Sequence, residues 1–173
     1  SLLVDDPSAA RRLLDEVAEG ARSAVDDVRH LVEGLRPPSL DELGLVGAIE
    51  QQAERLAVER PVFVVESPAP PGPLPAAVEV AAYRIAVEAM TNVVRHADAQ
   101  RCRVDVAADG AGPEPRLTLE IVDDGRGLGP DPRPGVGLTS MQERAAEVGG
   151  EVIVSPRAEG GTRVWASLPV GGA

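Results

Sequence analysis

Between residues 8 and 36 the apolar positions Leu14, Val17, Ala21, Ala24, Val28, Leu31 and Leu35 alternate three and four residues apart. This is the period of a helix that buries a narrow seam against another helix. Ser8 follows Pro7 as a suitable N-cap, and Pro37-Pro38 ends the run, since proline lacks an N–H and clashes with the preceding turn. No other stretch is long enough to cover the seam along its full length, so its expected partner is another chain or a preceding helix, with folding back onto its own globular domain left open as the alternative. A second helix is predicted from Ser39, with Leu43, Val46, Ile49, Ala53 and Leu56 facing inward. PVFVVES reads as a strand, and SPAPPGPLPAAV (67–78), with five prolines, as an extended connector. Residues 76–97 form the third predicted helix.

Beyond that helix the period changes from 3.6 to 2. RCRVDVAA and RLTLEIVD alternate as strands on either side of the turn DGAGPEP. EVIVSP and TRVWASLP form a second antiparallel pair. GLTSMQERAAEVG is a short helix closed by Gly149-Gly150, and DGRGLGPDPRPGVG is a loop. Helices on one face of a mostly antiparallel sheet give an α+β fold, a two-layer α/β sandwich with a long helix at its N-terminal side.

Composition narrows the picture. Hydrophobic residues make up 43% of the 173 residues but aromatics only 2%, so the core of one globular domain must be built from Val, Leu, Ile and Ala. The formal net charge of −11 opposes nucleic acid and anionic membrane surfaces, and neither is expected as a partner. All 17 basic residues are Arg; without Lys, a Walker A loop, a protein-kinase site and a pyridoxal phosphate site are excluded. Cys102 is the sole cysteine. It permits no internal disulfide or thiol-based metal cluster, suits a reducing compartment, and reads as a small apolar strand residue. No segment reaches the roughly 18–20 apolar residues of a membrane span, and no signal peptide is visible, so a soluble, cytoplasmic chain is expected.

Three stretches carry candidate chemistry. In EAMTNVVRHADA (88–99), helical spacing puts Glu88, Asn92, Arg95 and His96 on one face. In IVDDGRGLG (121–129), a strand ends in Asp123, and Gly125 and Gly127 let the backbone turn and approach a ligand. A carboxylate at that strand end suits the exocyclic amine of adenine, a donor that guanine lacks at the same position. In GVGLTSMQER (135–144), Gly135 and Gly137 precede a helix start whose free N–H groups attract phosphate. Neither glycine cluster is a dinucleotide fingerprint, because Pro130 and Ser140 stand where its last glycine belongs. Gly161-Thr162 leads into the last strand.

In order and spacing these stretches resemble the GHKL (Bergerat-fold) ATPase superfamily, which includes gyrase, MutL and the sensor histidine kinases. EAMTNVVRHADA is similar to its N box, VDDGRGLG to its G1 box, GVGLTSMQERA to its G2 box and GGTRV to the segment near the adenine. VRHLVEGLRPPSLDELGLVGAI resembles the second dimerisation helix and domain entry of HisKA_3 two-component kinases. The resemblance implies a helix of the dimerisation region in 1–38 and an ATP-binding catalytic domain in 39–173.

It further implies ATP and Mg²⁺ as cofactors. Asn92 would ligate the metal, Glu88 would order its shell, and Arg95 and His96 would lie near the triphosphate. Asp123 would read the adenine amine with support from Thr162. Gly125, Gly127, Gly135 and Gly137 would let a lid close over the phosphates, and Leu138 would complete the nucleotide contacts.

The implied partners are a second copy, through the N-terminal helix, and the receiver domain of a response regulator. His30 is followed by Leu31, whereas the family's acceptor histidine precedes an acidic residue on the preceding helix. His30 is therefore read as a solvated flank of the seam, no phosphoacceptor is expected in this chain, and the chain is expected to be the catalytic piece of a larger kinase, for which a membrane anchor facing the cytoplasm is left open. Another GHKL ATPase or serine kinase, and a dimerising module with a dead nucleotide site, stay open as alternatives.

Overall fold

The computed structural model describes residues 36–57, 60–68, 70–109, 114–128 and 136–171. The heptad run, His30 and Gly135 lie outside the described residues. Helix α1 spans Pro38–Leu56, with a proline in its first turn, where the missing N–H costs nothing. It is not continuous: Gly44 adopts φ 66° and ψ −178°, a conformation open essentially only to glycine. The break shifts the helical phase, so Leu40, Leu45, Ala48, Ile49 and Ala53 face the core while Leu43 is 47% exposed. The expectation that Leu43 points inward is thereby corrected.

Strand β1 (Val62–Glu66) leads through the proline-rich connector to α2 (Ala76–Asn92). The buried face of α2 runs through Val78, Ala81, Ala82, Ile85, Ala86, Ala89 and Met90. Its alanines let the helix lie close to its neighbours, while Ile85 and Met90, both fully buried, contribute about 1.5–3 kcal/mol each by leaving water. The chain then widens into a π-type turn over Val93–Ala97 and stops at Asp98 in a left-handed conformation (φ 52°). Unbroken α-helical spacing through His96 is therefore also corrected: a wider turn places Arg95 and His96 off the α-helical phase of Glu88 and Asn92.

Strands β2 (Arg101–Asp109), β3 (Arg116–Asp123), β4 (Glu151–Pro156) and β5 (Thr162–Pro169) join β1 in one sheet of order β1-β2-β3-β5-β4. Only the β1–β2 pair is parallel. Helix α3 (Val136–Glu147) precedes β4 and ends where the Gly149 and Gly150 N–H groups donate to the Ala146 and Ala145 carbonyls, the paired bonds of a glycine-terminated helix. Helix α2 packs against α1, α3 and strands β3 and β5. Among the described residues the architecture is thus the expected two-layer sandwich. Side chains on β3 alternate strictly, so Leu117, Leu119, Ile121 and Asp123 all point to the helix layer.

Candidate nucleotide site

Asp123 ends the buried phase of β3 and is 3% exposed; among the described residues it is the one buried charged side chain. An ionised carboxylate cannot be left bare in such a place. Its Oδ1 accepts the Gly125 N–H at 2.8 Å and its Oδ2 accepts the Thr162 N–H at 3.2 Å. A carboxylate offers about four acceptor positions. Two main-chain donors leave capacity for a ligand donor such as an amine.

The backbone around Asp123 is unusually crowded. Gly161 (φ +88°) lies so near that a Cβ would collide with the Asp123 carbonyl oxygen and stand 2.7 Å from its carbon. Gly125 likewise passes over Ala97, where a Cβ would lie 2.8 Å from both the Ala97 carbonyl carbon and Cβ, and the Arg126 N–H donates to the Ala97 carbonyl at 2.8 Å. The loop after β3 is thereby fastened to the end of the π-type turn.

The adjacent Asp124 has a different task. Its Oδ1 accepts the N–H groups of Arg101 and Gln100, each at 2.8 Å. The Arg101 bond foremost holds this carboxyl below the usual carboxylate range. Cys102, paired in register with Asp123, is fully buried. Burial first, then the charges of Asp123 and Asp124, push its thiol up to about 12.

Glu88 and Asn92, one helical turn apart on α2, meet the first turn of α3. A Cβ on Gly137 would collide with the Glu88 carboxylate and lie 3.4 Å from Asn92 Nδ2. One carboxylate and one amide thus share a small space beside a glycine. Arg95 and His96 are exposed on the π-type turn. Leu138 packs against the core from α3, and Arg144 Nε donates to Ser140 Oγ at 3.2 Å within that helix.

Residues 77–172, which contain both halves of this arrangement, match the family model described as histidine kinase-, DNA gyrase B- and HSP90-like ATPase, and residues 1–40 match the HisKA_3 model, described as histidine kinase. The chain belongs to this ATPase family. Among curated relatives of this family member, the sensor histidine kinase MctS of Rhizobium johnstonii is 34% identical over 96% of the chain, and the signal transduction histidine-protein kinase/phosphatase UhpB of Salmonella typhimurium is 34% identical over 91%. The chain spans 36% and 30% of their respective lengths.

Two solved structures show the same fold. The histidine kinase domain of the blue-light activated histidine kinase of Erythrobacter litoralis aligns with a TM-score of 0.58 and 22% identity, covering 73% of this chain and 61% of that one. The ATP binding domain of PrrB from Mycobacterium tuberculosis aligns at 0.52 and 23% identity, covering 74% and 95%. No described helix of the ATPase chain is long and apolar enough to cross a membrane.

The fold brings Asp123, Gly125, Gly127 and Thr162 together around one strand end, and Glu88, Asn92 and Gly137 together at the α2–α3 contact. Thr162 reaches Asp123 through its main-chain N–H. The sequence singled out neither Ala97 nor Arg157, whose Nη1 donates to the Asp123 carbonyl at 2.8 Å. Gly161 was marked by the GGT triplet; Arg157, 34 residues from its acceptor, had no local signal.

Proposed function

We propose that this chain is the ATP-binding catalytic region of a sensor histidine kinase, which moves the γ-phosphoryl group of ATP to a histidine for relay to a response regulator. The observation that carries the reading is a buried carboxylate, Asp123, with two main-chain donors and acceptor capacity to spare. In this reading Asp123 accepts the exocyclic amine of adenine, and Thr162 keeps the carboxylate aimed.

The donors beside Gly137 fit magnesium: an amide and a carboxylate are hard oxygen ligands, suited to a cation that retains several waters and bridges phosphates. Asn92 is the proposed ligand and Glu88 orders the surrounding water. A magnesium ion held there would supply neutralisation of phosphate charge. Arg95 and His96, exposed on the π-type turn, supply charge-assisted hydrogen bonds to the triphosphate. Gly125, Gly127, Gly135 and Gly137 permit the lid to close, and Leu138 backs the nucleotide.

Residues 1–38 are assigned to the dimerisation region and 39–173 to the catalytic domain, with the acceptor histidine on a helix that this sequence does not include. A homodimer through the N-terminal helix, a receiver domain as phosphoryl acceptor and a cytoplasmic setting complete the proposal. The experiment is incubation of a longer protein, including the acceptor helix, with radiolabelled ATP and magnesium. Acid-labile, alkali-stable label on histidine is expected. Acid-stable label, or hydrolysis without protein labelling, contradicts the reading.

A further inference from the structure

The turn between β4 and β5 holds a side chain that reaches the end of β3. The Arg157 N–H donates to the Gly161 carbonyl at 3.1 Å, and the Gly160 N–H returns to the Arg157 carbonyl at 3.2 Å. These bonds make residues 157–161 a closed loop that fixes where the Arg157 side chain starts. Its Nη1 donates to the Asp123 carbonyl at 2.8 Å and to the Gly160 carbonyl at 3.3 Å. Its Nη2 lies 3.4 Å from Glu159, but Glu159 is 85% exposed, so that ion pair contributes little. The shielded bond is the one to Asp123.

That bond replaces a missing piece of the sheet. The β3–β5 ladder ends at Val122↔Arg163, one residue short of Asp123, and Arg157 supplies the donor for the carbonyl beyond it. Asp123 is then gripped by one turn at three points: its carbonyl by Arg157, its Oδ2 by the Thr162 N–H, and its backbone by the close approach of Gly161. A carboxylate selects a base by direction, and its direction is set by the peptide that carries it.

We propose that Arg157 is a positioning residue for base selection, holding the Asp123 peptide so that the carboxylate faces the exocyclic amine of adenine. The proposal rests on the reading of Asp123 as the adenine acceptor. Arg157 itself touches no nucleotide in this account. Its removal must therefore weaken only nucleotides that present the amine.

The experiment measures binding of magnesium ATP and magnesium inosine triphosphate, in which a carbonyl replaces that amine. It compares the unmodified chain with Arg157→Met, Arg157→Lys and Asp123→Asn. Methionine keeps the apolar stem without a donor, and lysine restores a single donor. Arg157→Met is expected to weaken ATP about tenfold, the loss of roughly one hydrogen bond, with inosine triphosphate unchanged. Arg157→Lys should recover part of the loss, and Asp123→Asn should abolish the preference for ATP. Equal weakening of both nucleotides by Arg157→Met, or no weakening, overturns the role of Arg157 while Asp123 stands. An unchanged preference in Asp123→Asn overturns the adenine reading itself, and the role of Arg157 with it.

Discussion

Replacing Gly161 by alanine should be the most damaging single-methyl change at the site. Its φ of +88° disfavours any side chain, and the added Cβ would sit 2.7 Å from the Asp123 carbonyl carbon and 3.1 Å from its Oδ1. Ordinary contacts at such a carbon lie at 3.4–4 Å. The backbone conformation costs about 1–3 kcal/mol and the forced separation of two strand ends about another 1–3 kcal/mol. Together these amount to about 2–6 kcal/mol, a large fraction of the roughly 5–15 kcal/mol that holds a typical domain folded. Two other glycines isolate the contributions. Gly44 has φ +66° but open space around it, so alanine there incurs only the conformational cost, about 1–3 kcal/mol. At Gly137 the obstacle is the far end of the Glu88 side chain, which can swing away, while alanine favours the helix by up to about 1 kcal/mol. Urea unfolding followed by fluorescence of Trp165, the sole tryptophan, should rank the losses Gly161→Ala, Gly44→Ala, Gly137→Ala. A Gly161→Ala stability within about 0.5 kcal/mol of the unmodified chain, the range of neutral surface changes, would contradict this ranking. So would a Gly137→Ala loss as large as that of Gly161→Ala.

Two further outcomes concern ionisation. Cys102, buried and pushed up to about 12, should resist iodoacetamide at neutral pH in the folded protein and react once urea unfolds it, because the thiolate is the nucleophile; reaction of the native protein at the unfolded rate would contradict this. Asp105 lies in register between Glu66 on β1 and Glu120 on β3, with the Arg103 guanidinium 3.3 Å away, while Glu120 is also paired with Arg163. Burial, aided by Glu120 and Glu66 and opposed by Arg103, raises its carboxyl above the ordinary value. The native state therefore holds a proton that the unfolded chain has already lost, and stability falls as pH rises through that window. Asp105→Asn should raise stability at neutral pH by about 0.2–1 kcal/mol, the scale of a relieved cross-strand like-charge contact, and flatten this fall. A stability loss at neutral pH would show that the Arg103 pair dominates.

The alternation of RLTLEIVD made most of the sheet and the key carboxylate legible: Asp123 occupies the same phase as Leu117, Leu119 and Ile121, so a polar residue was due inside. The apolar spacing from Leu43 to Leu56 was misleading because it continues smoothly across Gly44, whose φ no periodicity encodes. The π-type turn is equally silent in sequence. It ends where the Ala97 carbonyl accepts the Arg126 N–H, a contact made only after the chain has folded. Arg157 was invisible for the same reason, since its role depends on a carbonyl 34 residues away left beyond the end of a strand ladder. Local pattern found the carboxylate, and tertiary closure supplied what holds it.

On the reading proposed above, Asp123 makes this an adenine nucleotide site. Titration calorimetry with magnesium ATP on the unmodified chain and on Asp123→Asn, with GTP as the control, tests it most directly. Binding of ATP in preference to GTP is expected, with a loss of about 10–100-fold in the variant, the contribution of a hydrogen bond to a charged acceptor. Equal affinities for ATP and GTP, or an Asp123→Asn variant that binds ATP as well as the unmodified chain, would contradict it.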